Sequence, residues 1–263
     1  MRALDRGNAW LPVIGSLVAL AWLTLAIWER SPYGRYLNHG SWTEIGLAAS
    51  ICSTLPAGRL VLPALLYVGG WLLMTIAMMV PTVLPLLAIF TRITQGRADR
   101  GLLVAFLILG YLSIWAAFGL VAHAGDMALH FLVAGNAFLT FNGWIVGAAV
   151  LGVAGAFQFS ALKYRCLDKC RTPFSFVNEH WRGNAVRRQS FMLGVHHGVF
   201  CVGCCWAIML LMFVVGMGSV GWMMAIGALM AVEKNVSWGR RLSAPLGVGL
   251  LLTAAAIVTL NVQ

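Results

Sequence analysis

Acidic side chains are scarce in this sequence: only 8 of its 263 residues are Asp or Glu, and charged residues of both signs make up 10%. Soluble domains carry about 25% charged residues, so this deficit excludes an ordinary soluble fold. Hydrophobic residues make up 60% of the chain, and the mean hydropathy is +0.85. The composition therefore predicts a polytopic membrane protein.

Segments of about ten alternating residues, the pattern of a membrane β-barrel, are missing as well. Continuous apolar runs take their place, and a helix needs about 20 such residues to cross a bilayer with all of its backbone groups paired. The predicted fold is an all-α transmembrane helix bundle with about seven spans, at residues 10–28, 60–90, 102–122, 143–159, 191–215, 220–232 and 246–260. Within the second span, Pro81 predicts a kink or an early end.

Two regions follow from this division. Residues 1–58 are predicted to form an N-terminal anchor helix and an external loop, with residues 41–55 as an interfacial helix. The first apolar run exceeds the ~7–15 residues of a signal-peptide core, so we interpret it as a retained anchor. Residues 59–263 are predicted to form the main bundle.

The basic residues predict the orientation. With the N-terminus in the cytoplasm, 15 of the 18 Lys and Arg residues precede the first span or lie in cytoplasmic loops. The positive-inside rule therefore predicts a cytoplasmic N-terminus and an external C-terminus. Because the net charge of +10 is spread over these loops, we expect membrane lipid and no nucleic acid as a partner.

The six cysteines are also unevenly placed. Cys52 is predicted to lie outside, whereas the other five fall in cytoplasmic or membrane segments, where thiols stay reduced. A disulfide scaffold is therefore excluded. The five form two clusters, CLDKC (Cys166, Cys170) and CVGCC (Cys201, Cys204, Cys205).

The second cluster predicts a metal site inside the membrane. Residues four apart share a helix face, so His197, Cys201 and Cys205 form one line, with Cys204 beside it. Thiolate and thioether sulfur prefer Cu(I), and imidazole suits copper and zinc alike. Copper, as Cu(I), is the expected metal, and zinc is an alternative with His197 as its fourth ligand. The competing interpretation is that these cysteines only fill the apolar interior.

Four further residues are candidate ligands. Met78 and Met79 in the second span are possible helpers of this site. Cys166 and Cys170 could form a cytoplasmic exchange pair, because the surrounding Lys and Arg side chains favour thiolates.

Between the third and fourth spans lie His123, Asp126 and His130. We interpret this segment as a solvated loop in which Asp126 caps a helix, and an external cation site stays open as the alternative.

Several stretches occur in a fixed order: the Trp, Met and Pro positions of 71–85, GYLSIWAAFG, GAFQFSALKYRCLDKCRTPFSF, HGVFCVGCCWAIM and the final Glu233-Lys234 pair. This order resembles a bacterial family of predicted metal-binding integral membrane proteins, the domain of unknown function 2182. The resemblance covers about residues 60–234. It implies metal binding in a bacterial cytoplasmic (inner) membrane and supplies no reaction.

Three functions are compatible with these features. The first is binding of a soft transition metal, copper above all, for transport or for delivery to a membrane enzyme, with a metallochaperone or that enzyme complex as partner. The second is an accessory subunit of a larger membrane complex. The third is a thiol oxidoreductase, since Cys201 and Cys204 have redox spacing, although their midspan position argues against it. The chain has no phosphate-binding loop for ATP hydrolysis, and a non-enzymatic role is favoured.

Overall fold

The computed structural model describes residues 10–31, 61–215 and 219–262. In this part of the chain every regular element is helical, as predicted. The helices are α1 (Trp10–Arg30), α2 (Val61–Ile93), α3 (Arg100–Ala134), α4 (Ala137–Phe141), α5 (Trp144–Phe157), α6 (Ala161–Arg171), α7 (Pro173–His180), α8 (Val186–Val215), α9 (Val220–Asn235), a 3₁₀ turn (Gly239–Leu242) and α10 (Ser243–Val262). The helix predicted at 41–55 and Cys52 lie outside the described residues.

Five helices of the described part are long and apolar enough to cross a membrane. They are Trp10–Arg30, Tyr67–Ile93, Arg100–Ala134, Val186–Met212 and Gly239–Val262. A sixth candidate is the pair α5 and α6, which are bent by 63° at the break between them. The chain is therefore a multi-pass membrane protein with five or six candidate spans, where the sequence predicts about seven.

The difference in number arises from two short helices. The fourth predicted span ends at Phe157 after 14 residues, and the sixth forms α9 with 16 residues. At 1.5 Å per residue these helices are about 21 and 24 Å long, below the ~30 Å of a bilayer core. Neither is long enough to cross alone.

Two local predictions are wrong: the early end of α2 at Pro81 and the loop at Asp126. Helix α2 does not end at Pro81 but continues to Ile93, because neighbouring groups in a membrane bundle can satisfy the backbone that proline leaves unpaired. Helix α3 continues past Gly125 to Ala134, so the predicted loop is helical. Asp126 is a buried residue within that helix and not its N-cap.

Helix α8 is the centre of the bundle, and it packs on α3, α5, α6 and α9. Its contact with α3 is unusually close because glycines face the opposite backbone. A Cβ at Gly194 would lie 2.0 Å from the carbonyl oxygen of Leu107, and one at Gly110 would lie 2.1 Å from that of Phe191. Small residues at such seams let membrane helices approach closely. This seam brings α3 next to the cysteines of α8.

Candidate metal centre

The three cysteines of α8 are buried in the core of the bundle, as are Met209 and Met212 one and two turns later. The Cys204 and Cys205 thiols both donate to the carbonyl oxygen of Cys201, at 3.1 and 2.8 Å. These bonds follow from the i+3 and i+4 spacing of the CVGCC sequence on a helix. The spacing therefore places all three sulfur atoms on the buried side of α8.

A lysine from another helix enters this cluster. The Lys234 Nζ atom, from α9, lies 2.9 Å from Cys201 Sγ, 3.8 Å from Cys205 Sγ and 3.6 Å from Met79 Sδ of α2. The Tyr111 hydroxyl of α3 is 3.1 Å from the same Cys201 sulfur. Four helices thus meet at one buried group of sulfur atoms around an ammonium. A neighbouring cation favours the thiolate form that binds metals.

The second cysteine pair lies against the first. Helix α6 bends back onto α8, and Cys170 Sγ is 4.0 Å from Cys204 Sγ. Cys166 Sγ packs on Gly203, where an added Cβ would be only 2.6 Å from the sulfur. The structure therefore brings the two sequence clusters, 34 residues apart at this contact, into one neighbourhood.

The basic residues around Cys166 and Cys170 are engaged by oxygen atoms. Lys163 pairs with Glu233 at 2.6 Å, and Lys169 pairs with Glu179 at 2.7 Å. The Lys169 ammonium lowers the pKa of the Glu179 carboxyl. Arg171 donates to the backbone carbonyl of Glu233. These partners reduce the effect on the thiols that the sequence predicts for the basic side chains.

The Lys163–Glu233 pair is itself a buried feature that the sequence analysis missed. Lys163 is 0% exposed and Glu233 is 1% exposed. The Glu233 carboxylate also accepts from the Ser243 hydroxyl, and Lys163 also donates to the Gln158 side chain. Because buried charges are tolerated when paired and hydrogen-bonded, this group ties α6, α9 and α10 together. It fixes α9 one residue before Lys234.

His197 is buried one turn before Cys201, with its ring packed between aromatic neighbours. Its centroid lies 5.9 Å from that of Tyr111 and 5.4 Å from that of Phe176. Within the described residues its Nδ1 atom has no hydrogen-bond partner. Met78 faces α9, because its side chain lies 3.3 Å from the Cβ position of Gly227. Of the two predicted helper methionines, Met79 is thus the one beside the Lys234 ammonium.

The external candidates lie in α3 and make contacts within that helix and with α2. Asp126 Oδ1 is 3.4 Å from His130 Nδ1, which is also 2.9 Å from the Asp126 carbonyl oxygen. The His123 ring stacks on Tyr67, with centroids 4.4 Å apart. An external metal site at these residues stays a prediction.

The donor atoms of this cluster suit a metal ion better than their arrangement does. Among residues 10–31, 61–215 and 219–262, no three His, Cys, Asp or Glu side chains are arranged to hold an ion. The Cys205 thiol is hydrogen-bonded to backbone, and the Lys234 ammonium fills the space beside Cys201. The donors themselves, thiol and thioether sulfur, are those that Cu(I) prefers. The donor chemistry suits Cu(I), whereas the Lys234 ammonium lies among the sulfur atoms.

One comparison with known proteins finds a match. The profile of a family described as "PpoB2: Copper chaperone" matches residues 68–257, which include both cysteine clusters and Lys234. No curated protein and no solved structure matches the chain. The match confirms a metal-related family and a copper-related function. Zinc and the domain of unknown function 2182 stay predictions.

Proposed function

The chain belongs to the PpoB2 copper chaperone family, and we propose that it holds Cu(I) inside the membrane and delivers it to a membrane enzyme under assembly. One observation carries this proposal: helices α2, α6 and α8 place five cysteines and Met79 in a single neighbourhood, in which all but Cys170 are buried. Copper is the cargo of this site, and the chain's own sulfur atoms hold it.

The donor set favours Cu(I) over Zn²⁺. Cu(I) is a soft ion that thiolate and thioether ligands select, whereas structural zinc takes four ligands in a tetrahedron. Cys201, Cys205 and Met79 surround one point, and their helices would have to move little to hold a low-coordinate ion there. Coordination deprotonates a thiol, and the positive ion offsets the charge of the buried thiolates. His197 and Cys204 are the next candidate ligands.

The contact between the two cysteine clusters supports a transfer route. Cys170 lies 4.0 Å from Cys204 and is partly exposed, whereas Cys204 is buried. Copper could pass from the buried site through Cys204 to Cys170 by gaining one sulfur ligand before losing another. Cys166, packed beside them on α6, is the second member of this exchange pair. A metallochaperone or the receiving enzyme would meet the ion at α6.

The orientation belongs to the same proposal. The charge count favours a cytoplasmic N-terminus in the inner membrane, and with α5 and α6 counted as one bent span the end of α6 lies on the cytoplasmic side. A membrane-impermeant thiol reagent applied to intact cells is then expected to leave Cys166 and Cys170 unmodified. Modification of either residue would overturn this orientation.

Copper analysis of the purified chain tests the proposal. After loading with Cu(I) under reducing conditions, the natural sequence should hold about one copper ion per chain. A variant with Cys201, Cys204 and Cys205 all changed to serine should hold almost none. Cys52→Ser, the same change at the cysteine outside both clusters, is the matched control and should bind normally. Equal, near-zero copper in folded samples of all three proteins would refute the proposal and favour an accessory-subunit role.

A further inference from the structure

The Lys234 ammonium occupies the point on which the candidate ligands converge. Its nitrogen atom contacts three sulfur atoms, those of Cys201 and Cys205 from α8 and of Met79 from α2. Lysine is a positive charge with three N–H donors, so it satisfies sulfur acceptors much as a monovalent cation would. The described structure thus holds a cation of the chain's own at this point.

An ion bound to these three sulfurs would overlap with that nitrogen. The sulfur atoms lie 2.9, 3.6 and 3.8 Å from Lys234 Nζ. Metal–thiolate bonds are shorter, about 2.3 Å for zinc, so coordination draws the ligands inward around the same point. The ammonium and the ion cannot be there together.

We propose that Lys234 is a placeholder cation: its ammonium fills the copper position in the copper-free chain, moves out when Cu(I) enters and returns when Cu(I) leaves. This inference rests on the proposed function, because it assumes that copper binds at these sulfurs. Lys234 forms no bond to the ion; its role is to fill the position in the copper-free chain and to favour release of the cargo.

The exchange balances in atoms and charge. In the copper-free site the Cys205 thiol donates to a backbone carbonyl, and the Cys201 sulfur accepts from the ammonium. Cu(I) binding forms two copper–thiolate bonds and one copper–thioether bond, breaks the S–H bond of Cys205 and sends its proton to solvent. Before binding, the Cys201 thiolate and the Lys234 ammonium sum to zero. Afterwards two thiolates and Cu(I) carry one negative charge, and the displaced ammonium and the released proton carry the two positive charges that have left the site. Copper stays Cu(I), so no oxidant or reductant is needed.

The soft sulfur donors define the class of ion. Ag(I) is soft and monovalent, so it should replace the ammonium as Cu(I) does.

The surrounding structure lets the side chain move while its helix stays. Glu233 is held by Lys163 and Ser243, so α9 does not depend on Lys234 for its position. A Cβ at Gly239 would lie 2.1 Å from the carbonyl oxygen of Val232, which shows how closely the turn after α9 packs on it. The flexible four-carbon stem of lysine can swing from such a fixed backbone.

Nuclear magnetic resonance of the side-chain nitrogen atoms tests this directly. The chain has three lysines, Lys163, Lys169 and Lys234, so a ¹⁵N-lysine sample of the full chain in detergent gives few ammonium signals. Lys234→Met assigns the Lys234 signal by removing it. One equivalent of Cu(I), or of Ag(I), should shift that signal or expose it to exchange with water. The Lys163 signal should stay, because its partner Glu233 does not bind the ion.

The outcomes separate the two proposals. If elemental analysis finds copper bound while the Lys234 signal is unchanged, the placeholder is refuted and the proposed function stands. If no copper binds, the proposed function fails and the placeholder fails with it.

Transfer kinetics give a second test. Without the ammonium, departing copper leaves the Cys201 thiolate with no cation, so release should slow. Lys234→Leu, which adds no sulfur ligand, is expected to bind copper and to pass it to a soluble Cu(I) chelator at least about tenfold more slowly than the natural sequence. Lys169→Leu, at an exposed lysine, is the matched control and should transfer at the natural rate. Equal rates in the two variants would refute the placeholder. If no Lys234 variant folds, Lys169→Leu and the double variant of Glu233→Gln with Lys163→Met assign the other two lysine signals, and the resonance experiment on the natural sequence decides.

Discussion

The close seam between α3 and α8 predicts a large effect for a single methyl group. Gly110 and Gly125 both lie in α3, and changing either to alanine adds the same atom to the same helix. At Gly110 the new Cβ would lie 2.1 Å from the carbonyl oxygen of Phe191 and 3.1 Å from the backbone nitrogen of Val195. At Gly125 it would meet nothing within 4 Å. A comparison of the two alanine variants therefore separates the cost of overpacking from the change in helix propensity.

The magnitude follows from the distances. Carbon–oxygen contacts are ordinarily about 3.3–3.6 Å, so the 2.1 Å contact at Gly110 requires the helices to separate by roughly 1.2 Å. Both contacting atoms belong to backbone, which cannot turn aside. Overpacking of this kind costs about 1–3 kcal/mol, and the alanine gains up to about 1 kcal/mol in helix propensity. We expect Gly110→Ala to lose about 1–2 kcal/mol net, and Gly125→Ala to lose nothing.

Thermal unfolding in detergent measures this difference. At roughly 2–4 °C per kcal/mol for a chain of this size, the melting temperature of Gly110→Ala should fall by several degrees below that of Gly125→Ala. Because Tyr111 follows Gly110, the same separation should break the 3.1 Å contact between Tyr111 and Cys201 and weaken copper binding. Equal melting temperatures for the two variants would refute the close seam and the reasoning from it.

Two further predictions concern α6. Cys170→Ser should leave the amount of bound copper unchanged but slow its transfer to a chelator about tenfold, because the ion can no longer pass from Cys204 to a sulfur at position 170. Equal transfer rates for Cys170→Ser and Cys52→Ser would contradict the route. Glu233→Gln should destabilise the protein by about 3–5 kcal/mol in thermal unfolding, because it leaves Lys163 buried without its partner. Adding Lys163→Met should recover much of this loss, and a double variant as unstable as the single one would show that the pair is not the cause.

The main helices could be predicted because their apolar runs are long. Composition alone indicates the all-α class and the membrane, and α2, α3 and α8 follow from runs that exceed a bilayer. The extension of α3 beyond Gly125 could not be predicted, since a glycine among polar residues is locally a loop signal. In the structure the polar groups of Asp126 and His130 contact each other within the helix, so the helix continues.

The candidate site was predictable along one helix and not between helices. The i, i+4 rule places Cys201 and Cys205 on one face, because that geometry is local. Lys234 is 33 residues from Cys201 and 155 residues from Met79 in the sequence, and no local pattern relates such positions. One signal was present: two adjacent ionisable residues end the apolar run of α9, and such residues in membrane segments mark functional sites.

The adjacency of Glu233 and Lys234 connects the proposed copper position to α6, the helix of the proposed transfer route. Neighbouring residues on a helix point about 100° apart, so α9 directs Glu233 toward Lys163 and Lys234 toward the sulfurs of α8. Helix α6 carries both Lys163 and Cys170, the residue at the proposed exit. A movement of α6 that opens Cys170 to a partner protein would therefore also strain the ion pair that fixes α9. The same movement would change how firmly Lys234 is aimed at the copper position, so handover at α6 and return of the ammonium are expected to occur together.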